Sequence, residues 1–86
     1  MMYKTFAEFL APRQSALRLG NEALARQVGR KRLVVTRWRG GAFVPHDSIH
    51  HLLAAALHAS EQQIADLCAG QPTDVADLPA APSAVA

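Results

Sequence analysis

Apolar residues recur at intervals of three and four along most of this chain, the spacing typical of helices with one buried face. Thr5 and Glu8 have the spacing of a capping box, which predicts that a first helix starts at Thr5. Its inward face holds Phe6, Phe9, Leu10 and Leu17. Pro12 lies inside this run and either kinks the helix near residues 8–11 or begins a second short helix as its first residue.

A second helix fits Asn21–Val28, because Gly20 and Gly29 mark its two ends. Its inward residues are Leu24, Ala25 and Val28. The next stretch, residues 32–38, is ambiguous: residues 33–36 are mostly β-branched, and with the Gly40-Gly41 pair they also fit a hairpin that returns through residues 42–44.

Two more helices follow Pro45. The first takes His46, Asp47 or Ser48 as its N-cap and has a clear inward stripe. That stripe consists of Ile49, Leu52, Leu53, Ala56 and Leu57. Ser60 and Gln63 form a second capping box, which opens a last short helix that stops at Gly70. Its inward residues are Ile64, Leu67 and Cys68. The pattern therefore predicts a domain over residues 1–70 and a Pro/Ala-rich C-terminal tail, 71–86, that is disordered or loosely docked.

Composition narrows the class of protein. With 86 residues, 50% of them apolar and 19% charged, the chain has the length and composition of one small folded domain. A single cysteine, Cys68, excludes a disulfide-stapled module and a cysteine-rich zinc site. No apolar run approaches the roughly 18 residues of a membrane span. The N-terminus lacks the apolar core of a signal peptide, so we expect a cytoplasmic protein.

The net charge of +2 hides an uneven distribution. Residues 13–39 hold eight of the nine basic residues and one acid, Glu22, for a local charge of +7. The rest of the chain holds Lys4 against six acids, for a charge of −5. This asymmetry favours a polyanionic partner for the basic segment.

The sequence contains little that indicates a catalytic or a metal site. His46, His50 and His51 are spaced closely enough to raise the possibility of a metal site, but further ligands are missing, and we expect solvent-facing helix residues. A pairing of His50 with Cys68 as base and nucleophile lacks an orienting motif, and there is no glycine-rich phosphate loop. We therefore predict no enzyme, no cofactor and no metal.

The middle of the chain resembles a known family. The segment Gly20–Gly29 (GNEALARQVG), Val35 with Trp38, then Gly41 and Pro45, and the run LLAAAL at residues 52–57 are similar to the Xre family of helix-turn-helix regulators. These are the lambda-repressor-like domains of phages and bacteria. The likeness runs without a gap over residues 20–67 and more weakly through the first helix. It implies an all-α, five-helix domain in which residues 32–39 form the recognition helix, with Val35 and Trp38 inward.

The resemblance also assigns roles. The residues expected at DNA are Asn21, Arg30, Lys31, Arg32, Leu33, Thr36 and Arg37. Arg32 matches the family position that most often reaches a base, where an arginine can bond guanine O6 and N7. Leu33 suits a thymine methyl, whereas Thr36 and Arg37 either read the next base pair or hold a phosphate.

Other positions carry open alternatives. Asn21 either contacts a phosphate or caps the second helix. Arg30, where the family prefers an apolar residue, reaches toward a phosphate. Lys31 and Arg32 oppose the helix dipole at a cost of about 0.3–1 kcal/mol each, which a bound phosphate would reverse. Arg39 replaces a frequent acid and adds positive field, and Trp38 is expected to anchor the core rather than stack on a base.

Together these observations predict a sequence-specific double-stranded DNA-binding regulator, a homodimeric repressor of phage or bacterial type on half-sites about one helical turn apart. Family analogy places dimerisation in the helix after Ser60 and in the tail. One rival is an excisionase-like winged fold, with a β-wing at residues 40–44. A second is an antitoxin or protein-interaction module that binds a partner such as a toxin through its C-terminal part.

Overall fold

The structure is a computed structural model, and it describes residues 1–76. Its five α-helices are α1 (Phe6–Leu17), α2 (Asn21–Val28), α3 (Arg32–Arg39), α4 (His50–Leu57) and α5 (Glu61–Cys68). A 3-10 turn, Asp47–Ile49, leads into α4. Two short strands, β1 (Met2–Tyr3) and β2 (Thr73–Asp74), pair antiparallel. The predicted all-α, five-helix fold is confirmed.

One continuous core joins all five helices. Phe6 and Phe9 of α1 lie at its centre, fully buried, and the Phe6 ring meets Trp38 of α3 edge to face at 6.2 Å. Each of the other four helices contributes two large apolar side chains. Trp38 is only 3% exposed, so the prediction that it anchors the core is confirmed.

Helix α1 passes through Pro12 without a break, so the alternative in which Pro12 opens a second helix is wrong. The pyrrolidine ring is exposed, and its missing N–H removes one helical bond, to the carbonyl of Glu8. At the N-terminus, the Thr5 hydroxyl accepts from the Glu8 N–H at 3.1 Å. The Glu8 carboxylate accepts from Lys4 rather than from Thr5, so only half of the expected capping box forms.

All five helices end in the same way. In each case a backbone N–H just beyond the helix donates to the carbonyl five residues earlier, at 2.8–3.1 Å. This bond needs a residue in the left-handed conformation directly before the donor. That residue is Arg18 after α1 and His58 after α4, and a glycine after the other three helices. After α1, α2 and α4 the next helix begins only four residues beyond the last residue of the helix, and α2 packs on α3 and α4 on α5.

The buried face of α4 is turned slightly from the predicted stripe. Leu53 and Leu57 are buried as expected, whereas Leu52 is only partly covered and His50 is buried. The expectation that His50 faces solvent is therefore wrong. Its Nε2 lies 3.3 Å from the carbonyl oxygen of Pro45, a contact that lets a polar ring be buried at the start of α4.

Residues 71–76 differ from the expected loose tail. Val75 is 2% exposed, its N–H donates to the carbonyl of Met1, and the Arg13 guanidinium donates to the carbonyl of Ala76. The packed domain thus extends beyond Gly70, because β2 pairs with β1 at the opposite end of the chain. Residues 77–86, the remainder of the predicted tail, lie outside the described residues.

The winged alternative is not formed, since residues 40–46 contain turn and loop and the strands found within residues 1–76 are β1 and β2. None of the helices in this range is long and apolar enough to cross a membrane.

Candidate nucleic-acid interface

Helices α2 and α3 form a compact pair joined by residues 29–31. Gly29 takes a left-handed conformation (φ 68°), and the N–H of Arg30 then donates to the carbonyl of Ala25, which ends α2. The apolar faces of both helices, Leu24 with Val28 and Val35 with Trp38, are buried in the common core. This burial outweighs the β-branched preference of residues 33–36 and makes them helical. Residues 32–39, whose sequence also fitted a hairpin, therefore form a helix, as the family resemblance implied.

Six of the seven residues predicted to meet DNA are exposed on this pair, and Asn21 is half-buried. Leu33 leaves 56% of its surface in solvent and has no part in the core. Packing of the domain therefore does not explain a leucine at this position of α3. Val35 and Trp38 hold the opposite side of α3 against the core. The predicted residues of α3 therefore lie on its solvent-facing side.

The N-terminus of α3 carries uncompensated positive charge. Lys31 is its N-cap and makes no side-chain cap bond, and the first turn contains no acid. The first backbone N–H to find a helical acceptor is that of Val34, bonded to the Lys31 carbonyl, so the N–H groups before it point outward. Free N–H groups and two adjacent cations, Lys31 and Arg32, together favour an anion at this end.

No carboxylate within residues 1–76 pairs with the basic segment. Within residues 1–76 the ion pair that forms joins the N-terminal ammonium to Asp74, at 2.9 Å, far from α2 and α3 in sequence. Every arginine and lysine between residues 13 and 39 is thus without a carboxylate partner in that range. Seven of the eight basic residues in this segment are exposed and Arg13 is buried, so most of the local positive charge read from the sequence is available to an outside anion.

Asn21 connects three helices. Its Oδ1 accepts from Gln14 of α1 at 3.0 Å and from Arg39 of α3 at 3.2 Å, and its Nδ2 donates to Thr36 at 3.4 Å. The N-cap of α2 is Gly20, so the alternative in which Asn21 caps that helix is wrong. Its side chain is directed at α3 instead. Contact of Asn21 with a phosphate stays a prediction.

Gln14 was missed by sequence reasoning. It is 4% exposed, and its Nε2 donates both to Asn21 and to the carbonyl of Leu19. The available signal was its position: Gln14 lies four residues after Leu10 and three before Leu17, on the inward face of α1. A polar residue at such a position predicts a buried hydrogen-bonding role.

The arginines of the pair take different directions. Arg30 donates to the carbonyl of Gly29 at 3.2 Å and lies back along the end of α2. The Cζ of Arg37 lies 5.6 Å from the centroid of the ring of Phe43, a residue of the loop that follows α3. Phe43 was also missed, and it is 54% exposed. The sequence did offer a signal for it, because Phe43 is an aromatic residue that belongs to no apolar helical stripe and lies close to the basic segment.

The remaining chemistry-bearing groups do not assemble into a site. Within residues 1–76 there is no group of three histidine, cysteine or acidic side chains that could hold a metal. Burial raises the pKa of the Cys68 thiol to about 11, with a smaller contribution from the Asp47 carboxylate, so the reactive thiolate is disfavoured at neutral pH.

Comparison of the chain with protein-family models, curated proteins and solved structures finds no match.

Proposed function

We propose that this chain is a sequence-specific double-stranded DNA-binding transcription regulator of the Xre type, acting in the cytoplasm as a homodimeric repressor. The observation that carries the proposal is the exposed surface of α3. It presents Lys31, Arg32 and Arg37, none of which has a carboxylate partner within residues 1–76, together with exposed Leu33, and the first N–H groups of the helix are free.

The dimensions of an α-helix suit the major groove. With its side chains a helix is about 10–12 Å across, and the major groove of B-DNA is about 12 Å wide. In helix-turn-helix proteins the N-terminal residues of the second helix reach the base edges. Arg32 is the first residue of α3, and its guanidinium suits guanine O6 and N7. Leu33 offers an exposed methyl-bearing side chain to a thymine methyl.

A dimer follows from the small size of this surface. One short helix contacts few base pairs, and two copies on half-sites about one helical turn apart double the sequence that is read. The alternative function, capture of a protein such as a toxin through the C-terminal part, falls largely on residues 77–86, outside the described residues.

Selection of bound sites from random double-stranded DNA by the full chain tests the proposal. We expect a palindromic site, and an affinity for it that falls linearly with salt on logarithmic axes, with a slope of about −0.9 for each neutralised phosphate. Replacement of Lys4 by Ala is a matched control, because Lys4 is exposed but lies outside the basic segment. Failure to bind any DNA, or binding without salt dependence, contradicts the proposal.

A further inference from the structure

We propose that Phe43 is a positioning residue that holds the Arg37 guanidinium at the edge of the interface for a DNA phosphate. Arg37 is then a contact to the DNA backbone and not a base reader. The inference rests on the proposed DNA-binding function and extends it into the loop that follows α3.

The backbone after α3 brings Phe43 back to Arg37. Gly41 is left-handed (φ 78°), its N–H donates to the carbonyl of Trp38, and the N–H of Ala42 donates to the carbonyl of Arg37, both at 3.1 Å. These two bonds form a Schellman closure. A Cβ at Gly41 would meet nothing within 4 Å, so the requirement for glycine is its backbone angle alone. The next residue after this closure is Phe43.

The Phe43 ring is poorly buried. It leaves 54% of its surface in solvent and is not part of the buried core. The guanidinium of Arg37 lies over the ring, with its Cζ 5.6 Å from the ring centroid. This distance is within the range of about 6 Å for a cation–π contact.

Stacking leaves the donors of Arg37 free. A guanidinium that lies over a ring face uses none of its five in-plane N–H groups, and within residues 1–76 its side chain neither donates a hydrogen bond nor pairs with a carboxylate. A planar fork of free donors, held in one place, matches the oxygens of a phosphate. The ring thus reduces the conformational freedom that Arg37 would lose on binding.

The direction of the side chain identifies the backbone as its target. Arg37 lies five residues after Arg32, about 7.5 Å further along the helix axis. Its guanidinium is drawn toward the loop beyond the C-terminal end of α3, away from the N-terminal end that faces base edges in this class of DNA-binding pair.

Four variants of the full chain test the inference: Arg37→Ala, Phe43→Ala, Phe43→Tyr and the double variant Arg37→Ala/Phe43→Ala. Affinity is measured on the selected operator and on single-base variants of it, over a range of salt. Arg37→Ala should weaken binding equally on all sequences and reduce the salt slope by about 0.9. Phe43→Ala should weaken binding about 2- to 5-fold, and Phe43→Tyr, which keeps the ring, should stay within about 2-fold of the unmodified chain. The double variant should bind no more weakly than Arg37→Ala.

Val44→Ala is the matched control, because Val44 has the same 54% exposure as Phe43 and stacks on no arginine. It should bind as the unmodified chain does. All of these variants should unfold at unchanged denaturant concentration, since the replaced side chains are exposed.

Three results overturn the inference. These are a loss in Arg37→Ala confined to one base pair, a Phe43→Ala variant with unchanged affinity, and additive losses in the double variant. In each of these cases the unmodified chain binds DNA, so the proposed function survives. If the unmodified chain binds no DNA, the proposed function and the inference are both overturned.

Discussion

The Arg39 guanidinium donates to the side-chain oxygen of Asn21 over 3.2 Å, and this bond ties the last residue of α3 to the first residue of α2. The same oxygen accepts from Gln14, so the bond continues into the buried face of α1. The orientation of the exposed surface of α3 is therefore held by directed polar contacts in addition to the packing of Val35 and Trp38.

Replacement of Asn21 separates its structural role from contact with DNA. Asn21→Ala removes three hydrogen bonds and should lower the free energy of unfolding by about 1–2 kcal/mol, measured by urea denaturation. Asn21→Asp keeps an acceptor for Gln14 and Arg39 and places an acid in the first turn of α2, so it should lose less stability. If Asn21 touches a phosphate, the Asp variant should nonetheless bind DNA more weakly than the Ala variant. Equal destabilisation by both would contradict the role of the oxygen as acceptor.

Arg32 should determine one base pair of the operator. Arg32→Ala is expected to cost about 1–3 kcal/mol in binding and to relax the preference at that position, measured by titration of single-base operator variants. Arg32→Lys keeps the charge but loses the bidentate fork, so it should lose the preference as well. The control is Lys4→Ala. A uniform loss on every sequence would make Arg32 a phosphate contact.

Trp38 should contribute to the stability of the folded chain in the absence of DNA. Trp38→Ala is expected to lower the free energy of unfolding by about 3–5 kcal/mol, because the indole is buried against Phe6. Trp38→Phe keeps an aromatic ring and should leave a folded protein with a smaller loss, measured by circular dichroism in urea. A Phe variant of unchanged stability that no longer binds DNA would indicate a stacking role instead.

Val75 should contribute to the core although it follows all five helices. Val75→Ala is expected to lower the free energy of unfolding by about 1.5–2 kcal/mol, since the removed methyl groups are fully buried. Val44→Ala, at an exposed valine, is the control and should change little. A chain ending at Gly70 should be less stable than one ending at Ala76. Equal stability of these two chains would show that β2 and Val75 are dispensable.

Cys68 should make stability depend on pH in the alkaline range. The thiol has a pKa of 9.0 as its ordinary value and about 11 in the folded protein, chiefly because burial disfavours the thiolate. Between these values the folded state holds a proton that the unfolded state has released. The stabilising contribution is therefore complete below pH 9 and is lost as the pH rises toward 11. The free energy of unfolding should fall over this interval and fall less in Cys68→Ala; equal slopes would contradict the assignment.

Local signals were sufficient to place most helix ends. The hydroxyl of Thr5, the capping box of Ser60 and Gln63, and the glycines around α2 all act within a few residues, and each lies where the sequence predicts. The apolar stripes also identified most of the core, because a helical period relates residues that are close along the chain. The concentration of basic residues between 13 and 39, and hence the expectation of a polyanionic partner, needed no coordinates.

Contacts between distant residues required the tertiary structure. Residues 33–36 fit a hairpin or a helix until Val35 and Trp38 pack on α2 and α1, because burial decides between two local preferences of similar strength. Asn21 meets Arg39 across 18 positions, and the N-terminal ammonium meets Asp74 across 73. A periodic pattern carries no information about such pairs, since their geometry depends on how whole helices and the chain ends are brought together. For the same reason the surroundings of His50 and the stack of Arg37 on Phe43 became visible only in the folded molecule.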